Sequence, residues 1–554
     1  MTGDSKEVEL KLRIAPEDIV VLRKHPRFAG ALRDPIRETL NSVYFDSNRR
    51  LLHKNGLTLR VRHIGDKRVQ TIKTTNPTSS GLLERSEWEQ TIEGDKPDLT
   101  HAKDTALGPL LADDVRYGLQ PVFETRIERT SYQLSESGTE LIMATDEGQI
   151  IAGDSSCPVS EIELELKHGS RDQLFKIARE IIKIVPAHLD VKSKPERGYE
   201  LLAKAPVAAE TARDPELTAG MNAGRAFILI GRACLRQLVA NLPATIDRDA
   251  EALHQLRVAL RRLRAAISLF SRVVSDDRVN TIKTELRWLA RECGPARDLD
   301  VLLIEVLKPL QRQNANEPGL VSINKMFMRR RLKTYQQALG AVQSDRFRTL
   351  LLDAAEWIEV GPWRTSEDAP VCACRKMPIE IYAADQLSQY RKKIRRRGAK
   401  IDDLTAEQMH RLRIQVKKAR YAIEFFAGLY QDKKAAKRCK EIRSSLMQLQ
   451  DCLGGINDIV TRKALFGDII ARPARGLSEE QNRRRAFAVG LVMGDQQARI
   501  TKLLGGARKA HSRFDSTKPF WKSLQRRAQA QSRFTDSERT LERADDVQLS
   551  AIES

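Results

Sequence analysis

The stretch EVELKLR, Glu7 to Arg13, separates its residues by parity: Glu7, Glu9 and Lys11 share one face, while Val8, Leu10 and Leu12 share the other. Period two is the mark of a strand whose two faces meet different surroundings. The pattern recurs along residues 1–205. In LTLRVRH (57–63) Arg60 and Arg62 alternate with Leu59 and Val61, and in ERSEWEQTI (84–92) Arg85, Glu87 and Glu89 share a face with Trp88 opposite. EIELELK (161–167) sets Glu161, Glu163 and Glu165 against Ile162, Leu164 and Leu166. An amphipathic helix follows, SRDQLFKIAREIIKIV, apolar at 174, 177, 178, 181 and 182.

A solvated outer sheet face mixes signs and includes Thr, Ser and Gln. These strands instead group glutamates on some and arginines on others. Clustered carboxylates repel unless a cation lies between them, and hard divalent cations take oxygen ligands. Arginine and lysine on neighbouring strands hold the phosphate oxygens that a metal leaves over. A closed barrel with a charged lumen satisfies all of these strands at once. Glutamates for metal and arginines for phosphate in one lumen make a site for phosphoryl chemistry. No Ser, Cys or His nucleophile constellation accompanies it, and no GxxxxGK[ST] loop, which excludes a P-loop hydrolase.

The 554 residues allow three or four domains at roughly 100–200 residues each. Lys+Arg is 95 against Asp+Glu 74, a net charge of +21. Residues 1–205 hold 31 basic and 33 acidic side chains, so the other 64 basic and 41 acidic ones place the whole cationic excess beyond residue 205. Two units with different tasks are expected. No apolar run approaches the roughly 18–20 residues of a membrane span, and MTGDSKEVELKLRI lacks the apolar core of a secretory signal. Seven cysteines, at 157, 234, 293, 372, 374, 439 and 452, have no paired zinc spacing. A reduced, cytoplasmic setting is expected.

From about residue 218 the pattern becomes helical, after an Ala/Pro-rich linker at 206–217. Two segments match at a constant offset of 156: AEALHQLRVALRRLRAAISLF (250–270) and AEQMHRLRIQVKKARYAIEFF (406–426). CGPARDLDV (293–301) answers CLGGINDIV (452–460). This is a duplication, with repeats at roughly 218–370 and 375–515. At 100° per residue His254, Arg257, Arg261 and Arg264 lie within about 80° of one another, with Arg262 flanking. His410, Arg413, Lys417 and Arg420 repeat the stripe, with Lys418 flanking. Like charges at this spacing destabilise a helix, so a stripe found twice points to a polyanion. The stretch 525–554 is polar and of mixed charge, and is expected to be disordered.

The N-terminal blocks resemble the CYTH family of triphosphate tunnel metalloenzymes. In order they are Glu7-x-Glu9-x-Lys11, YFDSNRRLLHKNGLTLRVR (44–62), Lys73, ERSEWE (84–89), ETRIER (124–129), ATDEG (144–148), EIELELK and SKPERGYELL (193–202). The resemblance covers residues 5–204 and implies an eight-stranded antiparallel tunnel that binds inorganic or organic triphosphates with Mg²⁺ or Mn²⁺. Carried over by position, Glu7, Glu9, Glu161 and Glu163 are the metal-facing carboxylates, with Glu165 assisting. Glu87, Glu89 and Asp146 position water or a second metal, and the sequence does not separate Glu87 from Glu89. Lys11, Arg60, Arg62, Lys73, Arg126 and Lys194 form the phosphate clamp, with Arg85 and Arg129 as further candidates.

The basic helices and the RDLDV/INDIV segments resemble the CHAD domain, over roughly residues 218–515. That resemblance implies two pseudo-symmetric four-helix bundles whose facing basic helices bind inorganic polyphosphate. Matching positions are His254, Arg257, Arg261, Arg262, Arg264, His410, Arg413, Lys417, Lys418 and Arg420, with Arg297/Asp298 and Asn457/Asp458 orienting the helices. The expected whole is an α+β multidomain protein, with a tunnel domain at 1–205 and an all-α domain at 218–515. Its expected function is metal-dependent hydrolysis of a triphosphate, with inorganic tripolyphosphate as the expected substrate, beside polyphosphate binding and association with polyphosphate granules. A thiamine triphosphatase or adenylate cyclase of the same tunnel family stays open, as does a non-catalytic polyphosphate-binding protein. A pI near 9.7 also implies weak, salt-dependent nucleic-acid binding, but only 5% of residues are aromatic, too few for a stacking platform. Monomer and dimer remain equally open.

Overall fold

The computed structural model describes residues 2–522 apart from 30–34, 76–80, 112–114, 116–117, 204–208 and 472–475. The stretch 525–554 and part of the expected linker lie outside the described residues. Among the described residues nine strands build the N-terminal half: β1 (Thr2–Arg13), β2 (Ile36–Ser47), β3 (Leu57–Ile64), β4 (Lys67–Thr74), β5 (Leu82–Ile92), β6 (Leu119–Glu136), β7 (Thr139–Ala152), β8 (Ser155–His168) and β9 (His188–Asp190). They are ordered β5-β4-β3-β2-β6-β7-β8-β1-β9, and β5 also pairs with β1, which closes the sheet on itself. Among the described residues β1–β8 therefore form a closed ring with no open edge between them, while β9 hangs on β1 alone. Every pairing is antiparallel, with Glu9 opposite Glu165 and Lys11 opposite Glu163 across β1 and β8. Ser137 and Gly138, at φ 50° and 72°, form the two-residue turn between β6 and β7, where paired positive φ matches the strand twist.

The alternation read from the sequence has a simple physical outcome: the charged faces turn into the lumen and the apolar faces turn out. Leu10, Leu12, Ile162 and Leu164 are fully buried beneath Leu174, Phe175 and Ile181 of the amphipathic helix at 172–184, in a core that continues to Phe227 and Trp357 of the helical half. The helices named here are α1 (Pro16–Lys24), α2 (Asp172–Ile184), α3 (Lys194–Leu202), α4 (Ala223–Ala240), α5 (Ala250–Leu269), α6 (Arg278–Glu292), α7 (Pro318–Gln343), α8 (Asp345–Val360), α9 (Ile379–Gly398), α10 (Ala406–Phe426), α11 (Lys433–Ala471) and α12 (Glu479–Ser516). Gly198 lets α3 lie directly on the tunnel wall, since a Cβ there would sit 2.4 Å from the Phe123 ring.

In the helical half, α4 and α5 start at 223 and 250, and α9 and α10 at 379 and 406, the offset seen in the sequence. Asp249 caps α5 through the Ala252 amide, and Thr405 with Gln408 forms a capping box on α10. Both caps hold the start of a basic helix, whose orphan amides they satisfy. The two halves meet where Arg179 of α2 donates to Asp353 (2.7 Å) and Glu356 (2.9 Å) of α8. All seven cysteines are free. Among the described residues no helix is long and apolar enough to cross a membrane.

Candidate active site and basic helix pair

The lumen encloses a cavity of about 230 Å³, below the ~300–1,000 Å³ of ordinary small-molecule pockets. Seven carboxylates and seven cationic side chains line it among the described residues, so its formal charge nearly cancels before any ligand enters. At one end Lys194, carried in by α3, donates to Asp146 (2.6 Å), Glu163 (3.0 Å) and Glu161. Lys11 also donates to Glu163, and Arg129 makes a bidentate pair with Asp146 (2.7 and 2.6 Å) and reaches Glu163. Asp146, Glu161 and Glu163 bring one oxygen each within 4.8 Å of one another. Toward the opposite side, Lys73 bridges Glu7 (2.8 Å) and Glu87 (2.9 Å).

These pairings move the ionisations. Burial alone would raise the Glu163 carboxyl, but Lys11, Lys194 and Arg129 more than offset it and hold it well below the ordinary range. Glu87 moves the other way: burial is the largest cause and lifts it, despite Lys73. Arg62 falls to about 10, first through burial and then through repulsion from Arg60 and Arg129. An arginine held down by two others is relieved by an anion between them. Tyr44 shares that corner. Burial would raise its phenol, yet Arg60 and Arg62 bring it below its usual value.

The lumen brings together Glu7, Glu9, Lys11, Arg60, Arg62, Lys73, Glu87, Glu89, Asp146, Glu163, Glu165 and Lys194. Glu161 is fully buried behind this surface, where Arg197 and Lys194 hold it. Glu87 and Glu89 are now separated: Glu87 is half-buried and paired, whereas Glu89 is exposed and accepts from the Thr71 hydroxyl at 3.1 Å. Arg126 requires correction. Its side chain is 60% exposed and pairs with Glu124 at 2.6 Å on the outer wall, because Thr125, Ile127 and Arg129 are the β6 residues that face inward. The Arg85 side chain lies outside the described residues. Tyr44, Ser42 and Lys167 also line the lumen; nothing in their residue types marked them, although Tyr44 sits inside the block 44–62.

The donor chemistry suits a hard divalent cation, since every acidic group here offers carboxylate oxygen. The Lys194 ammonium already occupies the meeting point of three of these carboxylates, which shows that the cluster accommodates a cation.

In the helical half, the two basic stripes meet. Arg261 of α5 donates to the Tyr421 hydroxyl of α10 at 3.3 Å. Lys417 of α10 is pushed down to about 7, first by burial and then by Arg261, Arg413, Arg264 and Arg420. His254 is likewise lowered, by burial and then Arg297, while His410 Nδ1 lies 2.9 Å from Asn457 Oδ1. Arg257 reaches Asp298 at 3.5 Å. Arg262 departs from the expected polyanion set. It is 3% exposed, donates to Glu424 (3.4 Å) and the Arg213 carbonyl (3.3 Å), and lies over the Phe425 ring at 5.0 Å. Its job is to join α5 to α10. Lys418, at the matching position, donates to Ser268 at 3.1 Å and stays half-buried.

Comparison with known proteins agrees with both halves. The CYTH domain model matches residues 5–199 and the CHAD domain model residues 229–467. An inorganic triphosphatase of Haemophilus influenzae is 32% identical over 208 residues, which is 36% of this chain and 56% of that protein. The match thus spans little more than half of that relative's length. Among solved structures, the CHAD domain from the plant Ricinus communis is 28% identical with a TM-score of 0.46, covering 55% of this chain and 96% of that one. An adenylyl cyclase candidate from Hippeastrum with a dominant triphosphatase activity is 19% identical with a TM-score of 0.29, covering 35% and 95%. The chain thus carries a CYTH domain at residues 5–199 and a CHAD domain at residues 229–467.

Proposed function

We propose that the CYTH domain hydrolyses a triphosphate, namely inorganic tripolyphosphate, with Mg²⁺ or Mn²⁺, and that the CHAD domain binds inorganic polyphosphate. The observation that carries the first part is the lumen itself, where carboxylates and cations are interleaved and Arg62 is held down by neighbouring arginines. The activity of the Haemophilus relative supports the same reading. Glu7, Glu9, Glu163, Glu165 and Asp146 would hold the metal, with Glu161 behind them. A bound divalent cation offsets charge on phosphate oxygens and acidifies water. Lys11, Arg60, Arg62, Lys73, Arg129 and Lys194 grip the phosphates and stabilise the charge that develops in the transition state. Glu87, whose carboxyl burial raises, would accept a proton from the attacking water at its carboxylate.

Facing basic stripes support the second part. Arg261, Arg264, Arg413, Lys417 and Arg420 crowd one another, and a polyanion is the ligand that relieves them. We read the helical half as two four-helix repeats at roughly 218–370 and 375–515, and the setting as the cytoplasm. The test is a separation of effects. Glu9→Ala should abolish hydrolysis of tripolyphosphate with Mg²⁺ and leave long-chain polyphosphate binding unchanged. Arg261→Ala with Arg413→Ala should do the reverse, and an exchange of these outcomes would overturn the division of labour.

A further inference from the structure

Helix α3 delivers Lys194 into the acidic cluster, and groups from both halves of the chain fix that helix. On the tunnel side, Glu196 Oε2 accepts from the Ser193 amide (2.9 Å) and hydroxyl (3.0 Å), closing a capping box. The other carboxylate oxygen turns to the helical half. Glu196 Oε1 accepts from Arg236 Nη2 at 2.5 Å, and Arg236 Nη1 donates to the Val191 carbonyl at 2.6 Å. Arg236 Nε lies 3.3 Å from Glu210. This arginine belongs to α4 and is 2% exposed, so the arrangement is desolvated. Burial alone would raise the Glu196 carboxyl, but Arg236 and the Ser193 hydrogen bonds bring it below its ordinary value. Val191 and Glu196 bracket Lys194 in the chain, and one guanidinium holds both.

We propose that Arg236 is a positioning residue through which the CHAD domain aims the Lys194 ammonium into the lumen of the CYTH domain. The inference rests on the triphosphate reading above. A shift of about 1 Å in a positioned group can cost up to ~10²-fold in rate. With the full chain, tripolyphosphate and Mg²⁺, Arg236→Met should therefore lower kcat by about tenfold or more, and Arg236→Lys should recover part of the loss. A purely structural role would add its cost to any other variant. If Arg236 acts through Lys194, combining Arg236→Met with Lys194→Met costs no more than Lys194→Met alone. Polyphosphate binding reports that the helical half is folded. Should Arg236→Met fail to fold, Glu196→Gln removes the charge pair while keeping the Ser193 contacts, and should lower kcat in the same way. A wild-type chain that releases no phosphate overturns the triphosphate reading and this proposal together. An active wild type with unchanged Arg236→Met kinetics, or with multiplying effects in the double variant, overturns this proposal alone.

Discussion

Lys417 offers a direct measure of how crowded the basic helices are. Burial and the four arginines around it, Arg261 and Arg264 of α5 with Arg413 and Arg420 of α10, bring its amine to about 7. A polyanion laid across these groups supplies the missing counter-charge and returns the amine toward its ordinary ~10.4. At pH 8 the free amine is then about one-tenth protonated and the bound one fully so, an uptake of about 0.9 proton per site. At pH 7 the same arithmetic gives about 0.5. Titration calorimetry with long-chain polyphosphate, repeated at pH 8 in buffers of different ionisation enthalpy, reads this number as a slope. Lys417→Arg keeps the charge but cannot titrate, so the slope should fall by about 0.9. No uptake by the wild type at pH 8, or an equal slope in Lys417→Arg, would refute the reasoning.

Other outcomes follow from the same geometry. Arg129→Ala should weaken tripolyphosphate turnover at least tenfold by steady-state kinetics, whereas Arg126→Ala, on the outer wall, should leave it unchanged. Arg262→Ala leaves Glu424 without one of its buried partners and should destabilise the protein by ~3–5 kcal/mol in urea unfolding, more than Arg264→Ala at its exposed site. Asp190 is held at about 2, where burial would raise it but Arg13 and Arg197 more than offset that. Its folded value lies below the unfolded one, so its stabilisation is complete above pH ~4 and is lost as pH falls toward 2. Asp190→Asn should flatten that part of the stability–pH curve.

The strands and the repeated helices were legible because both rest on local periodicity. EVELKLR and EIELELK have one charged and one apolar face, and only the lumen can take the charged one when helices cover the other. On β6 that logic fails. Glu124, Arg126 and Glu128 form a charged face too, but Arg126 and Glu128 are exposed on the outer wall, and the less polar face with Thr125, Ile127 and Arg129 meets the lumen. Parity alone cannot choose between two wet surfaces. Arg262 failed for a related reason. It flanks the stripe at 100° from Arg261, and whether a flank is wet depends on the neighbouring helix, here α10 with Glu424 and Phe425. Arg236 carried no signal, since its partners lie 26 to 45 residues away in the chain.

The most direct test of the account is phosphate release by the purified chain. Tripolyphosphate, thiamine triphosphate, ATP and long-chain polyphosphate would each be offered with Mg²⁺ and again with chelator. Rapid release from tripolyphosphate that chelator abolishes is the result expected of the charged lumen. No release from any of the four, alongside tight polyphosphate binding, would contradict it and leave a binding protein whose tunnel does no chemistry.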